Sequence, residues 1–391
     1  MKQYEGHYQL DDMVVKVGVI DEQLTIAFSG VPPGFEVILD PLKNAHHFKM
    51  NGGPVDGATA VFHFRDQDVP EKVMVGDVFE LLRVDGEAGA VHSGHGLLPP
   101  KLNLTDNKVN AFSALTTGWV HDGQGDAIDW QLPYPKYEFL QYLAMQEQFI
   151  FHGSNNRDIE EFSTRRTSLE LKDRSGRGNK QAVYGTHDGL WPMFFAIVDR
   201  PNLTGSIRNG VMFFKNQDGE EQAVYHFSVN KDILEQRPYT QGALYILPRQ
   251  TFEQIPIADG ALSNEWASEV PVKPLAKLYL EPEDFPFLEQ IGGHDDSELI
   301  RASDLTELLV ERVAGYYKKE AGFALKLNWD DAYGQDLIEF ILIQRKLMPT
   351  AQITLRFEGD QAVWYEMQGP PAYEQVWHDR LIQQGKPIII E

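Results

Sequence analysis

The first 135 residues alternate short apolar runs with clusters of turn-forming residues. Glycine, proline, aspartate and asparagine separate the runs, and this spacing is typical of strands joined by turns. We therefore predict a mainly β accessory domain over residues 1–135. Its strand candidates are residues 13–20, 24–28, 35–39, 60–64 and 78–84.

The pattern changes after residue 135 to a mixture of helix and strand. Phe139, Tyr142, Leu143 and Met145 can share one face of a helix within residues 136–150, which leads into a strand. We predict a central domain over residues 136–290, ending at a proline-rich and glycine-rich boundary. It contains a strand, turn and helix over 181–200, and further strands over 223–229, 243–247 and 275–280.

The last hundred residues favour a small α+β accessory domain over residues 291–391. Asp304 is a candidate N-cap for a helix over 305–319, and a second helix is predicted over 335–347. Two strands and a final helix follow, so the predicted fold class of the whole chain is α+β. These three elements cover residues 352–357, 361–367 and 373–384.

Composition narrows the class of protein. The 391 residues are 42% hydrophobic and 24% charged, which fits several globular domains with apolar cores. The longest apolar runs, such as 340–343, are too short to span a bilayer, and the start of the chain has no apolar signal region. Because the chain has no cysteine, disulfides and thiolate catalysis are excluded. We expect a cytoplasmic protein with no membrane partner.

Charge and histidine spacing argue against two other classes of site. The formal net charge is −23, so a nucleic-acid partner is not expected, although residues 165–180 form a local basic stretch. His92 and His95 lie on one predicted loop. Without a third ligand nearby, an exposed polar loop is favoured over a metal site, and we predict no metal.

Candidate chemistry begins where an apolar strand ends in His152, Gly153 and Ser154. A strand edge followed by a turn explains this stretch, and so does a ligand lying against the glycine backbone. Tyr184 follows 32 residues later, on a strand before a helix rich in aromatic residues, and Glu265 follows 81 residues after Tyr184.

These three motifs, in this order, resemble the ADP-ribosyltransferases of the diphtheria-toxin and poly(ADP-ribose) polymerase type. That family is known by a His, Tyr, Glu triad, which maps here onto His152, Tyr184 and Glu265. The resemblance covers about residues 147–285 and implies a split β-sheet fold with NAD as the substrate. Ala182-Val183 and Trp266 depart from the polymerase pattern, so single transfer of ADP-ribose or NAD hydrolysis is favoured over polymer synthesis.

Cleavage of the bond between nicotinamide and ribose makes physical demands that these residues can meet. Positive charge builds on the ribose, as in glycoside chemistry, so a carboxylate such as Glu265 is needed nearby. The backbone of Gly153 can approach the carboxamide because no Cβ is in the way. The rings of Tyr184 and Phe195 could enclose the nicotinamide.

The resemblance implies further contacts with NAD. The His152 imidazole would bind a ribose hydroxyl of the adenosine half, and Ser154 would support a ribose or the carboxamide. Arg165, in the basic stretch, could pair with the pyrophosphate, since arginine binds phosphate well. We expect an unknown acceptor, of which a protein is the favoured class.

Each residue also has an ordinary structural explanation. His152 could be a hydrogen-bonded residue at a strand end, Tyr184 and Phe195 could be core aromatics, and Glu265 could be one of many surface acids. A non-catalytic binding protein on the same fold therefore stays open as an alternative. An RNA 2′-phosphotransferase is a weaker alternative. Such an enzyme needs a basic channel and a further histidine and arginine set near the amino end, whereas the N-terminal region of this chain is acidic and predicted to be β, with no such set.

Overall fold

A computed structural model supplies the architecture of the protein. The described residues fall into two compact units, the first reaching His294 and the second beginning at Asp295. No helix within the described ranges is both long enough and apolar enough to cross a membrane. Those ranges are residues 1–10, 13–28, 30–64, 69–76, 78–84, 96–120, 123–164, 181–203, 205–256, 261–319, 322–347, 351–368, 374, 377, 378, 380–382 and 384–390.

The first unit opens with eight antiparallel strands that close into a barrel. Each strand pairs with the next along the chain, and the first also pairs with the eighth, so no barrel edge is left open. The strands are β1 (Gly6–Leu10), β2 (Met13–Ile20), β3 (Gln23–Phe28), β4 (Val37–Pro41), β5 (His47–Asn51), β6 (Thr59–Phe64), β7 (Pro70–Val75) and β8 (Phe79–Val84).

Inward-facing apolar side chains fill the barrel, as expected for an eight-stranded closure. Tyr8 is fully buried there, and its hydroxyl donates to the Tyr4 carbonyl at 2.9 Å and accepts from Arg83 Nη1 at 2.9 Å. Burial is the main cause that raises the pKa of Tyr8 above its usual value, while Arg83 opposes the shift. The hydroxyl therefore stays protonated and joins the ends of the barrel segment.

Within the described ranges, three small sheets and four α-helices follow the barrel in the first unit. The elements are α1 (Asp106–Thr116), β9 (Asp126–Ala127), α2 (Lys136–Ala144), β10 (Phe149–Ser154), β11 (Val183–Gly185), α3 (Trp191–Ile197), β12 (Ile207–Lys215), β13 (Glu221–Asn230), α4 (Lys231–Leu234), β14 (Gly242–Pro248), β15 (Glu253–Pro256), β16 (Leu262–Ser268), β17 (Ala276–Leu280) and β18 (Gly292–His294). The strand orders are β10-β14-β17-β9, β11-β16-β15 and β12-β13-β18.

The structure confirms several local predictions in this region. The helix and strand predicted around residues 136–150 are α2 and β10, and the three later strand predictions correspond to β13, β14 and β17. Helix α1 was not predicted, although Thr105 caps it by accepting from the Lys108 N–H. Phe112 of α1 packs in the same core as α2 and α3, so this core begins before residue 136.

The second unit is a five-stranded sheet with two long helices. The sheet order is β21-β22-β20-β19-β23, with one parallel pair between β19 and β23. The elements are α5 (Ser297–Arg312), β19 (Val313–Lys318), β20 (Phe323–Asn328), α6 (Gly334–Leu347), β21 (Gln352–Glu358), β22 (Ala362–Gln368) and β23 (Ile388–Ile390).

One helix prediction in this unit is wrong. Residues 313–318 were expected to continue a helix capped by Asp304, but Asp304 lies inside α5 and the chain turns into strand β19 at Val313. Pairing of β19 with β20 and β23 outweighs the helical pattern, and Val313 and Tyr316 are residues that suit strands. The helix and two strands predicted over 335–367 are confirmed, and the final helix prediction lies partly outside the described residues.

Two buried tyrosines test whether hydrogen bonding or burial stabilises these cores. We expect Tyr8→Phe to lower the free energy of unfolding by about 1–3 kcal/mol, because it removes two hydrogen bonds and leaves Arg83 without one partner. Tyr333→Phe should cost little or even stabilise, because the buried Tyr333 hydroxyl has no partner among the described residues. Urea denaturation of both variants measures the difference, and equal losses would contradict it.

Candidate functional site

A narrow cleft forms where strands β10, β11 and β16 meet helix α3. It brings together five of the residues singled out in the sequence, namely His152, Gly153, Tyr184, Phe195 and Glu265. They come from three chain segments that are far apart in sequence, so the fold assembles them. The cleft is also lined by Phe151, Gly185, Thr186, Trp191, Pro192 and Arg200.

Strand register places Tyr184 and Glu265 on one face of the β11–β16 ladder. Tyr184 lies directly opposite Ala267, two residues after Glu265. Side chains two apart on a strand share a face, so Glu265 is the diagonal neighbour of Tyr184, about 7–8 Å away by ordinary sheet geometry. Trp266 points to the opposite face, where its indole N–H donates to His187 Nδ1 at 3.1 Å.

Helix α3 lies against β10 at Gly153, closer than any side chain would allow. A Cβ added to Gly153 would lie 1.7 Å from the Pro192 carbonyl oxygen and 3.0 Å from the Ala196 nitrogen. Asn155 holds the same helix, because its Nδ2 donates to the Ala196 carbonyl and its Oδ1 accepts from the Arg200 N–H. The glycine is therefore required by this packing, whatever the cleft binds.

The backbone polar groups of Gly153 point into the cleft. Phe151 exchanges both backbone hydrogen bonds with Thr186, at 2.7 and 3.1 Å, so its N–H and C=O face β11 rather than β14. Backbone groups alternate in direction along a strand, so those of Gly153 also face the side of β11, at the level of Tyr184. A buried N–H and C=O are thus presented side by side to a ligand.

His152 is tied to the strand that carries Tyr184. Its Nδ1 lies 2.7 Å from the Tyr184 carbonyl oxygen, which can only accept, so Nδ1 carries the proton. The other nitrogen, Nε2, is then the acceptor of the neutral ring. The ring also packs edge-on against Phe162, with centroids 4.7 Å apart. These contacts hold the imidazole in one orientation at the cleft.

Helix α3 supplies an aromatic wall and leads to a cation. Trp191 and Phe195 are one turn apart with ring centroids 6.4 Å apart, and the Trp191 indole N–H donates to Asn209 Oδ1. The Arg200 guanidinium lies 5.6 Å from the Phe195 ring centroid and lines the cleft mouth. Sequence analysis missed Arg200, because only the fold brings it beside the other site residues.

The cleft is narrow in this structure. Its volume is about 70 Å³, enough for a few water molecules. A flat ring can enter only if a side chain in the wall turns aside. Phe195 is partly buried in the wall of the cleft, on the short helix α3. We therefore expect Phe195 to move when a ligand binds.

A buried carboxyl connects β11 to the start of α3. Asp188 Oδ1 accepts from the backbone N–H groups of Leu190 and Trp191, and Oδ2 accepts from the Tyr225 hydroxyl at 2.6 Å. Burial raises the pKa of Asp188 above its ordinary value, although these hydrogen bonds oppose the shift. Burial also disfavours the charged form of the neighbouring His187, and so it lowers the pKa of that imidazole. The segment from Tyr184 to Phe195 is thus held by buried polar groups.

Ser154 is described by the structure but is not among the residues that line the cleft. Ser154 Oγ accepts from the Asn156 N–H at 3.1 Å, which stabilises the turn after β10. Arg165 lies outside the described residues, as do His92, His95 and the basic stretch around it. Their proposed roles stay predictions. Within the described ranges no group of three or more candidate ligands could hold a metal ion.

The sequence and the structure were compared with known proteins. No protein-family model, no curated protein and no solved structure matches this chain. The cleft is therefore interpreted from its own geometry.

Gly153→Ala tests the contact between α3 and β10. We expect a loss of about 1–3 kcal/mol in the free energy of unfolding, because the added methyl overlaps the Pro192 carbonyl. Gly210→Ala is the matched control, since a Cβ there meets nothing within 4 Å and the position is also in a strand. Thermal or urea unfolding compares the two, and equal stabilities would contradict the tight contact.

Asp188→Asn tests the buried carboxyl through its pH dependence. Because the pKa of Asp188 is raised in the folded state, its protonation stabilises the fold most below its ordinary pKa of 3.8. This contribution to the free energy of unfolding is lost as pH rises through the raised pKa. The stability of the native protein relative to Asp188→Asn should therefore fall as pH rises from about 4. Urea unfolding of both proteins at several pH values gives the difference, and a rising or flat difference would contradict the assignment.

Proposed function

We propose that this protein is an NAD-dependent ADP-ribosyltransferase that transfers single ADP-ribose units. The observation that carries the proposal is the convergence of His152, Gly153, Tyr184 and Glu265 on one cleft. Three separate segments contribute them. A histidine, an open glycine backbone, an aromatic ring and a carboxylate are the groups that nicotinamide–ribose cleavage needs.

The nicotinamide half of NAD would bind between Gly153 and the aromatic rings. The Gly153 N–H donates to the carboxamide oxygen, and its C=O accepts from the carboxamide NH₂. These groups are buried and turned away from β14, so a ligand amide could pair with both of them. Tyr184 and Phe195 provide ring faces, and entry requires Phe195 to rotate because the cleft is narrow.

Glu265 would act on the ribose next to the bond that breaks. In the reaction the bond from ribose C1′ to the nicotinamide nitrogen breaks, and its electron pair leaves with neutral nicotinamide. The cationic ribose is stabilised by the Glu265 carboxylate, which also holds the 2′-hydroxyl. An acceptor nucleophile then bonds to C1′ and loses its proton to solvent or to Glu265.

The other half of the dinucleotide would lie toward the mouth of the cleft. His152 would bind a hydroxyl of the adenosine ribose, held in place by its bond to Tyr184. Arg200 lines the cleft, and its guanidinium would pair with the pyrophosphate. We propose a protein acceptor and action in the cytoplasm, with which a cysteine-free chain is compatible.

Glu265→Gln tests the proposal. We expect nicotinamide release to fall at least about 100-fold while NAD affinity changes little, because the change keeps the shape of the side chain and removes its charge. Release from NAD is followed by chromatography, with and without cell lysate as a source of acceptors. Glu253→Gln is the control, since Glu253 is an exposed glutamate on the neighbouring strand β15 and should keep full activity.

Three outcomes separate the competing functions. Unchanged release in a folded Glu265→Gln protein would refute the catalytic role. Absence of release from the native protein, together with no rise in melting temperature at millimolar NAD, would favour a binding protein instead. Rescue of release only by a 2′-phosphorylated oligonucleotide would favour the RNA 2′-phosphotransferase reaction.

A further inference from the structure

A second pocket lies on the other side of strand β16 from Glu265. It is open to solvent, and its volume is about 700 Å³, within the usual range for small-molecule sites. Buried rings of Phe149, Phe252 and Trp266 form much of its wall, and Leu275 adds a further apolar surface. Because Trp266 and Glu265 are adjacent on one strand, the two pockets use opposite faces of the same element.

Arg249 is the charged group of this pocket. Its guanidinium lies over the Trp266 ring, 4.5 Å from the ring centroid, and is half-buried. Its Nη1 donates to the Glu147 carbonyl at 2.7 Å, and its backbone N–H donates to the Gln148 carbonyl at 3.3 Å. The side chain is therefore held in place before any ligand binds.

No carboxylate among the described residues forms an ion pair with Arg249. The guanidinium therefore has no carboxylate partner within the described ranges, although the chain has 58 acidic residues against 35 basic ones. A guanidinium has five N–H donors, and the contact with Glu147 uses one of them. The remaining donors form a fork that matches a carboxylate in two parallel hydrogen bonds.

We propose that this pocket binds a small apolar carboxylic acid. The carboxylate pairs with the Arg249 fork, and the apolar body covers the partly exposed Val120, Pro248 and Leu275. The walls favour an organic acid over inorganic phosphate, which has no apolar part to place against them. This site is separate from the proposed NAD cleft and does not depend on the proposed reaction.

The test uses 2-naphthoate and its uncharged analogue 2-naphthamide, with binding measured by titration calorimetry. The native protein should bind 2-naphthoate at least about tenfold more tightly than 2-naphthamide, as expected for a charge-assisted pair. Arg249→Gln should remove that preference while leaving the weak binding of 2-naphthamide. Arg249→Lys keeps the charge but not the fork, so it should retain only part of the preference and provides a second variant if Arg249→Gln folds poorly.

Variants of two further arginines show which pocket the acid occupies. Arg157 also lies over an aromatic ring, 4.1 Å from the Tyr279 centroid, but does not line this pocket, so Arg157→Gln should leave the preference unchanged. A preference that disappears in Arg200→Gln and persists in Arg249→Gln would place the acid in the NAD cleft and overturn the proposal. Equal affinity for both probes, or tighter binding of inorganic phosphate, would also overturn it.

Discussion

The contact between helix α3 and strand β10 at Gly153 is the constraint on which the cleft depends. The Pro192 carbonyl occupies the space where any other residue would carry its Cβ. This approach brings Phe195 to the cleft and directs the following residues to its mouth. Asn155, two residues after Gly153, reinforces the contact: its side chain donates to the Ala196 carbonyl at the end of α3 and accepts from the Arg200 N–H. The absence of a side chain at residue 153 therefore allows helix α3 to lie against the strand.

Buried polar groups hold the other side of the cleft. Asp188 connects the end of β11, the start of α3 and Tyr225 on β13, at the cost of burying a carboxyl whose pKa burial raises. Such a group is tolerated only when it is fully hydrogen-bonded. The site thus combines a hydrogen-bonded frame with one partly buried ring, Phe195, in its wall. That combination suits a cleft that is narrow when empty and opens by movement of a side chain.

Strand β16 contributes to two different environments. Glu265 faces the narrow cleft beside Tyr184, whereas Trp266 faces the wider pocket beneath Arg249. The alternation of side chains along a strand explains how adjacent residues serve separate sites. The Trp266 indole also bonds to His187, so the wall shared by the two pockets is held by packing and by a hydrogen bond.

Short-range patterns in the sequence were enough to predict α2, β10, β14 and α6, because each depends on periodicity over a few residues. The resemblance of three ordered motifs to a known family singled out His152, Gly153, Tyr184, Phe195 and Glu265, which the fold then brings to one cleft. The closure of β1 on β8, the strand at β19 and the cation Arg200 at the mouth were decided only by tertiary structure. Each of these rests on contacts between residues that are distant in sequence, and pairing across such distances leaves no local pattern that could predict it.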